Sequence, residues 1–366
     1  MAKYRAAIIG LSWIATDPPP PASGPVLGTG VPFSHAAALA AIEDVEVVAG
    51  CDIVPELRDQ FLERWRHRWP DARVYDNYAE LLEKERPDIV TIATPDFLHA
   101  DPFIKAVEAG AKGIFIEKPF ATSLADATRM VEAARARNVV VNVDCTRRWM
   151  PFHVASRAFV QQGRLGKLSQ VMVEIGGERA LLWRNHAHAI DQMCYFADSD
   201  PAWVFGELEP GFEDYGTEYK GDGGRSIELE PGANYYVAFR NGVRGFLIGM
   251  KDTMPGILVT LRGADGRLVL DDEGARATFV RLIGHGATAD WSLPQTEEIV
   301  PARTVAGMEA GIRDVIAGIE TGRPTAAPAE HGWRSVAIVD AVVRSQANGN
   351  RPATIELPPW ATRTLP

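Results

Sequence analysis

Residues 4–15 read Tyr-Arg-Ala-Ala-Ile-Ile-Gly-Leu-Ser-Trp-Ile-Ala, an apolar run that stops at Gly10. A short run apolar on both faces is the pattern of a strand buried inside a parallel sheet. The pattern returns at 45–51, 88–94, 113–117 and 139–143. Helical stretches lie between: 34–42 with Ser34 as N-cap, 55–69 with Pro55 in its first turn, 102–109 closed by Gly110, and 124–138. Strands alternating with helices predict right-handed crossovers and a doubly wound parallel sheet, an α/β Rossmann architecture.

From about residue 149 the rhythm changes. Strand patterns at 170–175, 203–208, 234–240, 243–249, 257–262, 268–270 and 277–282 follow one another with little helix between them. Asn241-Gly242 and Asp265-Gly266 each join two of these runs as hairpin turns. Helices return at 306–321 and 333–348. The second half therefore reads as α+β with a large, mostly antiparallel sheet. A chain of 366 residues exceeds one ordinary core, so two domains are expected, 1–148 and 149–366.

Composition narrows the function. Apolar residues at 46% and charged residues at 23% are globular values. The net charge of −10 (38 basic against 48 acidic residues) and the lack of a dense Lys/Arg block argue against nucleic acid or an anionic membrane as partner. Cys51, Cys145 and Cys194 are too scattered for a disulfide framework or a zinc ribbon. No apolar run reaches the ~20 residues that span a bilayer, and the first residues lack a signal-peptide pattern, so a cytoplasmic location is expected.

The turn after the first strand decides whether a dinucleotide can bind. A Rossmann fingerprint needs Gly-x-Gly-x-x-Gly there, so that backbone can approach a pyrophosphate. Here Gly10 holds the first position, Ser12 the second and Ala15 the third, with Trp13 and Ile14 between. Residues 16–33, which contain Gly28 and Gly30, look like an insertion within this phosphate loop. Asp52, at the end of the second strand, is placed to accept both ribose hydroxyls of a dinucleotide. It follows Gly10 by 42 residues; subtracting the 18 inserted leaves 24, close to the usual ~20. Ile53 follows instead of a base that could hold a 2′-phosphate, which favours NAD over NADP.

Thr94-Pro95 with His99, and Glu117-Lys118-Pro119 at a strand end, resemble the motifs of the Gfo/Idh/MocA oxidoreductases. Arg147-Arg148-Trp149-Met150-Pro151, Gly163-Arg164-Leu165-Gly166-Lys167, Gly322-Arg323-Pro324 and residues 333–345 extend the resemblance over nearly the whole chain. It implies two-domain, NAD(P)-dependent enzymes acting on sugars, inositols and other polyols. It also implies that Thr94, Pro95, His99 and Glu117 lie along the cofactor, that Arg148 and Asn185 are on the substrate side, and that the chain forms a dimer or tetramer through the open face of its antiparallel sheet. A lysine at the carboxyl end of a central strand faces the ligand, so Lys118 is the candidate to stabilise a developing alkoxide.

Residues 182–191 read Leu-Trp-Arg-Asn-His-Ala-His-Ala-Ile-Asp. The family carries Asp-x-Gly-x-His-x-x-Asp here, which puts His188 and Asp191 on the last pair but leaves Arg184 in place of the first Asp and His186 in place of the Gly. His188 is the candidate general base, its ordinary pKa of ~6.5 suiting proton removal near neutrality. If the segment is helical, Arg184, His188 and Asp191 share one face and His186 points elsewhere. Arg184 would then keep His188 neutral and could clamp a substrate carboxylate. A metal held by His186 and His188, with Asp191 or Glu178, requires the segment to be extended; no metal is expected. Trp13, Trp149 and Trp183 are candidate stacking walls for a sugar ring, at least one of them being core. His153, His285 and His331 read as packing or surface residues. Two other functions stay open: a sugar lyase or glycosidase that uses NAD without net redox, and a non-catalytic binding relative.

Overall fold

The computed structural model describes residues 3–18, 32–271, 276–284, 292–299 and 307–361. Most of the inserted loop, with Gly28 and Gly30, lies outside these residues, as does His285. The chain folds as two units, Met1–Met150 with Val305–Trp333 and Pro151–Thr304 with Arg334–Pro366. Residues 307–333, which the sequence reading groups with the second domain, fall in the first unit.

In the first unit the strands are β1 (Tyr4–Ile9), β2 (Val45–Cys51), β3 (Arg73–Tyr75), β4 (Ile89–Ile92), β5 (Gly113–Ile116) and β6 (Val140–Val143). They form one parallel sheet in the order β3-β2-β1-β4-β5-β6. The helices are α1 (His35–Ala40), α2 (Pro55–Trp65), α3 (Tyr78–Glu85), α4 (Ala100–Glu108) and α5 (Leu124–Arg137). Their ends follow local chemistry: the Ser34 hydroxyl accepts from Ala37 N–H, Pro55 opens α2, and Asn138 closes α5 in the left-handed region. Alternate strand residues Ala6, Ile8, Val47 and Phe115 close against α1 and α2 in one buried cluster. That cluster also takes in Met308, Ile312 and Val315 of a late helix, residues Gly307–Thr321. A Cβ on Gly113 would meet the Val315 side chain, so β5 and this helix are as close as backbone allows.

The second unit holds α6 (Pro151–Gln161), β7 (Leu168–Gly176), α7 (His186–Ala197) and β8 (Pro201–Leu208). It continues with β9 (Ala233–Phe239), β10 (Arg244–Met250), β11 (Gly256–Gly263), β12 (Arg267–Asp271), β13 (Arg276–Gly284) and β14 (Ser292–Ile299). The Gly307–Thr321 helix of the first unit is α8, and α9 (Ala329–Ala347) begins in that unit and ends in this one, before β15 (Ala353–Thr354). The nine-stranded sheet runs β14-β13-β12-β11-β7-β10-β9-β8-β15; β7 and β10 are parallel and the other neighbours antiparallel. Asn241-Gly242 makes the β9–β10 turn, with Gly242 at φ +93°, and Asp265-Gly266 joins β11 to β12. β14 was not foreseen: its sequence is polar and contains Pro294, which a sheet tolerates at its edge, where β14 lies. α7 packs on β7, β10 and β11, leaving the opposite sheet face uncovered by it.

Candidate active site

The strand order reverses at β1, whose neighbours β2 and β4 leave in opposite directions, and such a switch point is where open α/β sheets bind ligands. The predicted cofactor residues all sit at the carboxyl edge there. Gly10 follows β1 at φ +86°, with β4's exit so close that no side chain fits. Asp52 follows β2; its Oδ2 accepts the Leu11 N–H (2.8 Å) and its Oδ1 the Val54 N–H (3.0 Å). Each carboxylate oxygen keeps a further lone pair, the number two ribose hydroxyls require. Ile53 beside it is 80% exposed. Thr94 follows β4 with its hydroxyl oxygen buried and unpartnered. These residues fit a dinucleotide.

The loop itself departs from the glycine fingerprint. Ser12 is extended and exposed, and Trp13 begins a single 3₁₀ turn with Ile14 and Ala15. Trp13 takes φ +35°, a region that bulky residues rarely enter, and the residue is 58% exposed.

His99 is fully buried between two strand exits. Its Nδ1 lies 2.9 Å from the Pro119 carbonyl and its Nε2 3.1 Å from that of Thr94. Burial holds this imidazole below its ordinary pKa against the Asp96 charge, so it is neutral and donates to one carbonyl at a time. His99 thereby ties the Thr94-Pro95 loop to the Lys118-Pro119 loop, whose peptide bond is cis. Lys118 is half-buried; Glu117 beneath it is buried, with Oε1 3.3 Å from His35 Nε2 and Oε2 accepting the Lys118 N–H (3.3 Å). Arg148, expected on the substrate side, is buried: Nη1 donates to the Ala326 carbonyl (2.8 Å) and Nη2 lies 3.1 Å from His331 Nδ1. That ties the end of the β6 segment to the start of α9 within the first unit. Trp149 leans on Gly311 of α8 and donates to Asp314.

In the second unit the His188 segment is helical, but α7 starts only at His186. Arg184 therefore precedes the helix and does not share a helical face with His188 and Asp191, contrary to expectation. Buried Glu230 fixes this entry, its Oε1 accepting the N–H of Trp183 and of Arg184. The Arg184 guanidinium donates to the Gly223 carbonyl, and a Cβ on Gly224 would strike it. Trp183 is core, edge-on to Tyr219. His186 turns inward, as expected for i, i+2 on a helix: it is wholly buried near the Tyr235 hydroxyl (3.3 Å) and against Gly249. Desolvation lowers its pKa to about 3. His188 is half-buried, and Asp191, one turn on, is buried. Asn185, at the helix N-cap, has its Oδ1 buried without a partner.

Sequence comparison agrees with this geometry. Residues 25–145 match the oxidoreductase family with an NAD-binding Rossmann fold, and residues 159–356 match its C-terminal alpha/beta domain. The chain is 30% identical over 117 residues to D-xylose 1-dehydrogenase (NADP(+)) of Hypocrea jecorina, covering 32% of this chain and 29% of that one. It is 30% identical over 287 residues to 1,5-anhydro-D-fructose reductase of Ensifer adhaerens, covering 66% and 83%. The matches span less than half the length of the first curated relatives. A levoglucosan dehydrogenase solved with NADH superposes with a TM-score of 0.75 at 18% identity, over 96% of this chain and 99% of that one. With a sheet that reverses at β1 and a Glu-Lys-Pro strand exit, the chain belongs to the Gfo/Idh/MocA oxidoreductase family.

Proposed function

We propose that this protein is an NAD(P)-dependent dehydrogenase that transfers hydride between a sugar, sugar-acid or polyol carbon and the nicotinamide, with NAD preferred. The carrying observation is the alignment of Gly10, Asp52, Thr94 and Lys118 on one edge of the parallel sheet at its switch point. NAD, when bound, supplies the hydride acceptor. Asp52 holds the ribose hydroxyls through its free lone pairs, with Ser12, Trp13 and Ile14 lining the phosphate side. Thr94, Pro95 and Glu117 lie along the cofactor, and His99 fixes the two loops that carry them. Lys118 donates to the substrate oxygen and stabilises the alkoxide as hydride leaves the adjacent carbon. His188 accepts the hydroxyl proton, with Asp191 beside it and Asn185 a further polar contact. Arg184, whose guanidinium donates to the Gly223 carbonyl through one of its five N–H groups, is the group that would hold a substrate carboxylate. The names of the xylose, anhydrofructose and levoglucosan enzymes support the substrate class.

The face of the nine-stranded sheet opposite α7 carries Phe205 and Ile248, 42% and 45% exposed; Phe205 stacks on Trp203 and Tyr236, and Phe246 meets Tyr236 edge-on. Such a patch on a sheet face supports self-association into a dimer or tetramer. Among the described residues no helix is long and apolar enough to cross a membrane.

The test is a screen of polyols and sugar acids with both nicotinamide cofactors, run with Lys118→Ala and His188→Ala. Each variant should lose ~10²–10⁴-fold in kcat while still binding NAD. Unchanged turnover in both would refute the assignment.

A further inference from the structure

β5 and β6 pair in parallel with Ile116 opposite Val143, so the next residues, Glu117 and Asp144, leave the sheet side by side. The Asp144 N–H donates to the Ile116 carbonyl (2.7 Å), holding that register past the strand end. Both carboxyls are buried and lie close enough to share a hydrogen bond. A carboxyl–carboxyl hydrogen bond needs a proton, and two adjacent buried carboxylates cannot both ionise.

The surroundings decide which one holds it. Glu117 faces donors: the Lys118 N–H reaches Oε2, and His35, in its Nε2–H form, reaches Oε1. On Asp144, by contrast, Oδ1 is buried with no hydrogen-bond partner. An unpartnered oxygen is tolerable as the carbonyl of a neutral acid and far costlier as half of a carboxylate.

We propose that Asp144 keeps its proton at neutral pH and donates a hydrogen bond to the Glu117 carboxylate, making it a positioning residue for the strand exit that presents Lys118. The buried pair then carries one negative charge against the Lys118 ammonium. The charged and titratable groups around it are Glu117 and Lys118 from the β5 exit and His35 from α1, with His99 beyond Glu117. Burial, reinforced by the Glu117 charge, pushes the Asp144 carboxyl well above its ordinary range. Burial also works to raise Glu117, but the His35 hydrogen bond and the nearby positive charge outweigh it and hold that group at about 2. The role for Lys118 rests on the proposed dehydrogenase; the proton assignment does not.

The experiment compares the full-length chain with Asp144→Asn, whose amide can donate to Glu117 without taking up a proton. An acid whose folded pKa is raised gives full stability below its unfolded value and loses it as pH rises towards the folded one. The folding constant of the wild type should therefore fall relative to D144N by up to tenfold per pH unit as pH rises above about 4, the ordinary aspartate value, and through neutrality. In parallel, infrared spectra of the wild type at neutral pH should show the C=O stretch of a buried neutral carboxylic acid that shifts with ¹³C-labelled aspartate. A stability difference that does not change with pH, no such band, or a band that moves only with labelled glutamate would overturn the proposal. The infrared reading needs no variant, so it decides the matter even if D144N fails to fold. Neither readout depends on turnover, so a failed role for Lys118 and a failed proton assignment are separately visible.

Discussion

A Cβ on Gly10 would lie 2.6 Å from both the carbonyl carbon and the carbonyl oxygen of Ala93. At Gly10 the end of β1 therefore meets the exit of β4 backbone to backbone. The obstacle is main chain, which cannot step aside as a flexible side chain would.

Gly10→Ala should therefore cost stability in two ways. A left-handed φ at a non-glycine residue costs about 1–2 kcal/mol, and overpacking a closed contact about 1–3 kcal/mol more. Urea unfolding should show a loss of about 2–5 kcal/mol, with NAD protecting the variant less than the wild type.

Asp52 orders the loop and, in the proposed site, is also the ribose acceptor. Asp52→Ala should weaken NAD binding by ~10–100-fold, the worth of one or two charge-assisted hydrogen bonds. Titration of NAD against protein fluorescence reads it, and an unchanged Kd would remove Asp52 from the site. Because Ile53 offers no charge to a 2′-phosphate, NADP should bind more weakly than NAD.

His186 makes the protein acid-sensitive. Its folded pKa of about 3 lies below the ordinary imidazole value, so the unfolded chain binds more protons in between. The His186 contribution should be constant above about pH 6.5 and fall by a few kcal/mol as pH drops towards about 3. Buried His99 acts in the same direction. Glu117 adds a further loss as pH falls from its unfolded value towards about 2. His186→Phe should lower the melting temperature at neutral pH, since the Tyr235 hydroxyl loses its neighbour, yet show a shallower dependence on pH between about 4 and 7.

The open face of the second unit's sheet should carry the oligomer. Phe205→Glu combined with Ile248→Glu places two carboxylates among Trp203, Tyr236 and Phe246 and should give monomers by light scattering, with circular dichroism preserved. An unchanged mass would exclude this face as the interface.

The local sequence determined the elements and their ends. Buried strands such as Ala6–Ile9 or 89–92 are apolar on both sides whatever surrounds them, and Ser34, Pro55, Asn138 and Gly242 act on their immediate neighbours. It likewise fixed which residues stand just past the strand ends, Gly10, Asp52, Thr94 and Lys118, because chain order alone sets that. Tertiary structure decided what those ends meet. Arg184 left the expected helical face because Glu230, 46 residues later, holds the turn before α7. Arg148 turned to Ala326 and His331, contacts created by a distant return of the chain. Asp144 gave no signal of its own, since its importance arises only when strand order sets it beside Glu117. Hydrogen bonds and charges act over a few ångströms of space, and a sequence records distance only along the chain.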